Sequence, residues 1–154
     1  MKSPQSNEFL QKLSDVYRYV LKNNDTGLVE ASEEIRFVEE YFYLQKIRFG
    51  RAREIEIDGE EAKGKVPFLA LQTLIENAIK HNVFSKKEPL KIKIKAGKDF
   101  IVIQNKINLR EASTSESMGI GQEYLRNIYR FYDRQDFNFS SENDTFTVYV
   151  PLIG

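Results

Sequence analysis

The run LKIKIKAGKDFIVIQN, residues 90–105, alternates apolar and polar side chains on both sides of Gly97 and Lys98. Successive side chains of a strand point to opposite faces, so a period of two gives an apolar face to a strand and not to a helix. Two such runs around a Gly-Lys pair predict a β-hairpin. REIEIDGE, beginning at Arg53, alternates Ile55 and Ile57 with charges and ends in a turn, which predicts a further strand with one buried face. The closing DFNFSSENDTFTVYVPLI reads as two strands joined by a polar turn. A sheet with one apolar face needs a cover, and helices elsewhere in the chain must supply it.

Helical periods fill the rest. Phe9, Leu10, Leu13, Val16, Tyr17, Val20 and Leu21 form one stripe of an amphipathic helix, and NNDTG (residues 23–27) breaks it. A second helix is predicted from Ser32, a candidate cap, with Glu33 and Glu34 in the first turn where the helix dipole favours acids. It runs to Phe49 with two adjoining stripes, Ile35, Val38 and Phe42 beside Phe37, Tyr41 and Leu44. A helix this apolar is expected to sit between two bodies. After AKGK and Pro67 comes the helix LQTLIENAIKHN, residues 71–82 with Ala70 leading it; NLREASTSES is predicted to be a mobile loop, and a last helix spans Gly121 to Tyr132. The order predicts an α+β fold, a mostly antiparallel sheet with helices on one face.

Length allows one packed domain, or a domain of about 100 residues with a helical extension. The 23 basic and 23 acidic residues cancel, which argues against direct nucleic-acid binding or a polybasic membrane anchor. With no cysteine, disulfides and thiolate metal sites are excluded. No signal-peptide pattern opens the chain, and no apolar run approaches the roughly 18 residues that span a membrane. The opening MKSPQSNEF does not resemble the start of a compact domain, so a longer parent protein is expected.

At about 100° per residue, Leu71, Leu74, Ile75, Ala78 and Ile79 gather on one side of their helix, and Thr73, Asn77, Lys80 and His81 on the other. Asn77, Lys80 and His81 stand at i, i+3 and i+4, so an amide, an ammonium and the chain's one imidazole can converge. An amide oxygen is a hard ligand suited to Mg²⁺, a lysine suits phosphate, and a histidine can hydrogen-bond phosphate or ribose. The same arc also fits an ordinary solvent face.

LQTLIENAIKHN resembles the N box of the LytS-type sensor histidine kinases, whose pattern is close to LQPLVENAIKHG. Other stretches follow the same family's order. YRYVLKN with EIRFVEEYFYLQKIRFG resembles the segment between phosphoacceptor helix and ATP-binding domain, REIEIDGE the first strand, VPFLALQ the approach to the N box, and GIGQEYLRNI the glycine box. The likeness runs from Leu13 to Ile153; the N box and the RFG segment are its specific parts, and the glycine box alone is a weak sign. It implies the two-layer ATP-binding fold shared by histidine kinases, Hsp90, gyrase and MutL (GHKL), over residues 51–154, preceded by a helical segment over residues 1–50.

By that resemblance the cofactors are ATP and Mg²⁺. Asn77 would coordinate the Mg²⁺ that bridges the phosphates, with Lys80 and His81 near phosphates or ribose. Glu76 would orient or activate an acceptor histidine as a general base, or equally would pair with Lys80 one turn on. Asn105 stands where the family's adenine-reading aspartate does, and a neutral amide predicts weaker adenine binding. Gly119 and Gly121 would bring backbone N–H groups to phosphates at a helix start, or form a plain loop-to-helix turn. Ser117, Gln122 and Tyr124 depart from the usual glycine box, and residues 109–117 would be a lid over ATP.

The family's phosphoacceptor motif, like NPHFLFN, has no counterpart here, which implies a segment beginning after it. Where hydrolytic relatives place a water-activating glutamate, this chain has Thr73, so the implied acceptor is a histidine and not water. The implied partners are an upstream phosphoacceptor helix of the same protein, a second copy in a homodimer, and a response regulator, often of LytTR type in this family. The implied location is a cytoplasmic domain, in full-length form often attached to a sensor in the inner membrane. A different class stays open: a non-catalytic module of the same fold, acting in dimer contacts or regulator docking.

Overall fold

The structure is a computed structural model that describes residues 4–23, 27–49, 53–59, 62–109 and 115–154, with side chains over 6–22, 27–47, 54–58, 62–109 and 122–154. The elements follow in the order α1 (Pro4–Asn23), β1 (Leu28–Glu30), α2 (Ala31–Phe49), β2 (Arg53–Gly59), β3 (Lys65–Pro67), α3 (Ala70–His81), β4 (Leu90–Ala96), β5 (Phe100–Lys106), α4 (Ser115–Phe131), β6 (Asn138–Glu142) and β7 (Thr145–Pro151).

Five strands form one sheet in the order β2-β4-β5-β7-β6. All neighbours are antiparallel except β2 and β4, which run parallel. The alternation read from the sequence explains both faces. Ile92 and Ile94 of β4 and Ile101 and Ile103 of β5 are buried, in one cluster with Leu71, Leu74, Ile75 and Ala78 of α3 and Leu125 and Tyr129 of α4. On the opposite face, Glu54, Glu56 and Asp58 of β2 stand beside Lys91, Lys93 and Lys95 of β4. Opposite charges side by side favour this register, and the reverse pairing of like charges would oppose it.

The turns follow their residues. Gly97 sits where a β-carbon would come 3.1 Å from the Phe100 carbonyl, so the β4–β5 turn suits glycine. Asn143 and Asp144, both left-handed at φ 51° and 60°, make the tight β6–β7 turn, a conformation that Asn and Asp tolerate best after glycine.

Three features differ from the expectation. β1 and β3 pair in a two-stranded sheet of their own, each too short at three residues to show an alternating pattern. α2 starts at Ala31, whose N–H donates to the Gly64 carbonyl at 2.9 Å, so Ser32 lies inside the first turn and does not cap it. α4 starts at Ser115, six residues before Gly121; a glycine inside a helix costs about 1 kcal/mol relative to alanine, too little to stop the flanking residues from helix formation. Val29, Ala31, Val38 and Phe42 belong to the same core as the sheet, so α2 is wedged as its two apolar stripes predict. Among the described residues, no helix is long and apolar enough to cross a membrane.

Candidate functional site

α3 carries the candidate residues, and both of its ends are tied by side chains from outside the expected motif. Its N-terminal flank, Leu69, adopts the left-handed conformation at φ 61° and gives no side-chain cap. The first turn of a helix leaves backbone N–H groups without partners. Glu34 of α2 answers them: its carboxyl is fully buried, and the N–H groups of Leu69, Ala70 and Leu71 point at it. Tyr19 of α1 donates its hydroxyl to Glu34 Oε2, while Oε1 makes no hydrogen bond of ordinary geometry. Burial pushes the Glu34 carboxyl up to about 7, and the Tyr19 and backbone donors pull the other way.

At the other end, Asn82 leaves the helix in extended conformation. Its Nδ2 donates to Ala78 O at 2.8 Å, and its Oδ1 accepts from Asn108 N at 2.8 Å. Val83 N donates to Asn108 O at 2.7 Å, and Asn108 Nδ2 to Val83 O at 3.2 Å. This seam fastens the end of α3 to the stretch leaving β5, three residues past Asn105. Asn105 is buried on the same side of β5 as Ile101 and Ile103, with Nδ2 donating to Lys106 O at 3.0 Å. The seam therefore sets the end of α3, which carries Lys80 and His81, beside the exit of β5, which carries Asn105.

On α3, Asn77 is half-buried, Lys80 exposed and His81 8% exposed. The seam next to the histidine holds the 107–109 stretch against Asn82 and Val83 at the end of α3. Burial, and then the charge of Lys80, lower the His81 pKa below its ordinary 6.5, so the imidazole is neutral at pH 7. It can serve phosphate or sugar by hydrogen bonding, with the positive charge on Lys80.

Glu76 is exposed and bonds Tyr41 Oη of α2 at 2.7 Å and Gln72 Nε2 at 3.3 Å, rather than Lys80. Thr73 donates its hydroxyl to Leu69 O at 2.7 Å. Gly119 and Gly121 lie in the opening turns of α4, beyond its first four N–H groups; their surroundings, and residues 110–114 of the expected lid, lie outside the described residues. Leu109, where that lid was expected to begin, forms a bridge with Asn82. Gln122 is 1% exposed, and its Oε1 has no hydrogen-bond partner among the described residues.

Sequence reasoning passed over Asn82, Glu34, Tyr19 and Tyr41. Asn82 left a local signal, an asparagine closing the helix. Glu34 left an indirect one, because VPFLALQ starts a helix with no Ser, Thr, Asp or Asn to cap it.

Comparison with known proteins bears on the fold that carries these residues. A family model described as histidine kinase matches residues 1–53. The chain is 42% identical over 74 residues to the sensor protein kinase HptS of Staphylococcus aureus (strain USA300), covering 47% of this chain and 14% of that protein. The cytoplasmic segment of histidine kinase QseC shares the fold with a TM-score of 0.58 at 9% identity, over 94% of each chain. Histidine kinase ThkA, solved in complex with response regulator protein TrrA, shares it with a TM-score of 0.50 at 14% identity, over 99% of this chain and 53% of that one. The two N-terminal helices are thus similar to the histidine kinase family, the matched stretch spans about a seventh of the sensor kinase relative, and the sheet and helices repeat the fold of the solved histidine kinases.

Proposed function

We propose that the chain is the ATP-binding part of a two-component histidine kinase, passing the γ-phosphoryl group of ATP to a histidine outside these 154 residues. The observation that carries the reading is the Asn82–Asn108 seam, which holds the polar end of α3 against the exit of β5. Asn77 offers an amide oxygen to Mg²⁺, Lys80 a point charge to phosphate, and neutral His81 a hydrogen bond to phosphate or ribose. Lys106 O takes the Asn105 amide hydrogen, which leaves Asn105 Oδ1 to accept from the adenine amino group. When bound, Mg²⁺ neutralises charge developing on the phosphates.

The donor set suits that ion. Among the described residues no three His, Asp or Glu side chains gather around a metal position. Mg²⁺ bound with substrate phosphates takes few protein ligands and keeps several waters, so one amide oxygen is a sufficient anchor. For Gly119 and Gly121 the reading requires the opening turns of α4, helical from Ser115, to give up backbone N–H groups to phosphate. Thr73 lacks a group that could activate water at neutral pH. Glu76, held by Tyr41, orients the incoming histidine.

The reading extends to an upstream phosphoacceptor helix, a homodimer, a response regulator that is LytTR-type by resemblance, and a cytoplasmic location. The helical segment that precedes the ATP-binding part is then α1, and not residues 1–50 as expected from the sequence, because Val29, Ala31, Val38 and Phe42 of β1 and α2 share the core of the sheet. Neutral Asn105 and buried Gln122 favour the second reading, a module with the fold but without useful ATP affinity.

Titration of the purified chain with Mg·ATP by calorimetry tests the first reading. Asn77→Ala should weaken Mg²⁺-dependent binding by about tenfold or more, the scale of one lost hydrogen bond to a charged group, with the melting temperature kept. Equal affinity in parent and variant would reject the assigned site, and no binding by the parent at millimolar nucleotide would favour the second reading.

A further inference from the structure

We propose that Tyr19 and Glu34 are positioning residues that link α1 to the helix bearing Asn77, so that movement of α1 changes nucleotide affinity. The consequence rests on the nucleotide reading of the site; the linkage itself rests on geometry.

Three elements meet at one buried carboxyl. Glu34 projects from α2 with no exposed surface, receives the Tyr19 hydroxyl of α1, and faces the backbone N–H groups of Leu69, Ala70 and Leu71. A carboxyl with no access to water is costly unless its charge and lone pairs are answered. The start of α3 has no local substitute, because Leu69 supplies no cap. The Tyr19 ring adds a second contact with the same place. It stacks on Phe37 of α2 at 4.6 Å and lies 5.8 Å from Phe68, which immediately precedes Leu69.

α1 lies against α2 at the outside of the fold. It packs through one side, leaving Leu10, Leu13, Tyr17 and Leu21 more than 40% exposed. Tyr19 ties it to the start of α3, whereas α2 is fixed in the core by Val38 and Phe42 and α3 by Leu71, Leu74, Ile75 and Ala78 along one side. Asn77 stands eight residues beyond Leu69, about 12 Å along a continuous helix, and a helix that short moves as a rigid rod. Loss of the Tyr19 contact therefore tilts the end that carries the nucleotide ligands. Binding at that end must by linkage tighten the Tyr19–Glu34 contact to the same degree.

Amide hydrogen exchange on the 154-residue chain tests both halves, with Tyr19→Phe and Glu34→Gln as variants. Tyr19→Phe deletes one hydroxyl and keeps the ring, so it remains informative should Glu34→Gln fold poorly. The expected result is exchange about tenfold faster at Leu69, Ala70 and Leu71, with Ile94 and Ile103 of the sheet unchanged, and Mg·ATP affinity several-fold weaker in Tyr19→Phe. In the parent chain, Mg·ATP should slow exchange at those three amides. Uniform acceleration that includes Ile94 and Ile103 would mean a general loss of stability and overturn the linkage. Unchanged affinity in Tyr19→Phe, in a chain where Asn77→Ala still weakens binding about tenfold or more, would overturn the coupling and leave the proposed function standing. No binding by the parent would overturn the function and the coupling together.

Discussion

Asn105 shows how a neutral amide can keep the orientation of a carboxylate's acceptor. Its Nδ2 is committed to Lys106 O at 3.0 Å, so Oδ1 is the atom left to accept from the base on the proposed reading. Asn105→Asp adds charge to that acceptor but sets a carboxylate oxygen against the Lys106 carbonyl. The expected outcome is ATP affinity higher by about fivefold, with the unliganded chain less stable by about 1 kcal/mol. Calorimetry and chemical denaturation measure the two sides separately, and weaker ATP binding would mean that Asn105 does not read the base. His81 shows the limit of residue-scale reading. Helical geometry set it on the polar arc, whereas the fold leaves it 8% exposed next to Asn82, whose seam partner Asn108 lies 26 positions along the chain.

At the scale of elements, α3 is a helix whose period was legible and whose cap was not. The cap lies on another helix, and no local window of sequence contains it. Its chemistry makes a testable pH dependence. Glu34 is raised from 4.5 to about 7, chiefly by burial, so the folded chain holds a proton over a range where the unfolded chain has released it. Its contribution to stability is therefore complete below pH 4.5 and declines as pH rises through about 7, by roughly 3 kcal/mol in all. Denaturation curves of parent and Glu34→Gln chains should diverge across that window, with the parent losing stability relative to the variant as pH rises. A constant difference would place the titration elsewhere. Strand pairing was half legible: alternation gave the β4–β5 and β6–β7 hairpins, but the parallel partner of β2 emerged from the fold, where its acidic row meets the lysine row of β4.

For the whole molecule, one histidine sets a clear expectation. His81 lies in the α3 corner and is 8% exposed, so incubation of this chain with Mg·ATP should yield no acid-labile phosphate on it. Phosphate should appear on an added phosphoacceptor helix carrying its own histidine. Radiolabel on His81 would overturn the assignment of that residue to nucleotide binding. By itself the sequence determined the α+β class, the order of the long elements, the two hairpins and the Asn77, Lys80 and His81 arc, because helix and strand periods and i, i+4 neighbours are local properties of the chain. The tertiary structure alone decided the β1–β3 pair, the Glu34 cap with its Tyr19 partner, the Asn82–Asn108 seam and the burial of His81. Each of these joins residues far apart in the chain, and such contacts arise only after the packed core has brought distant segments together.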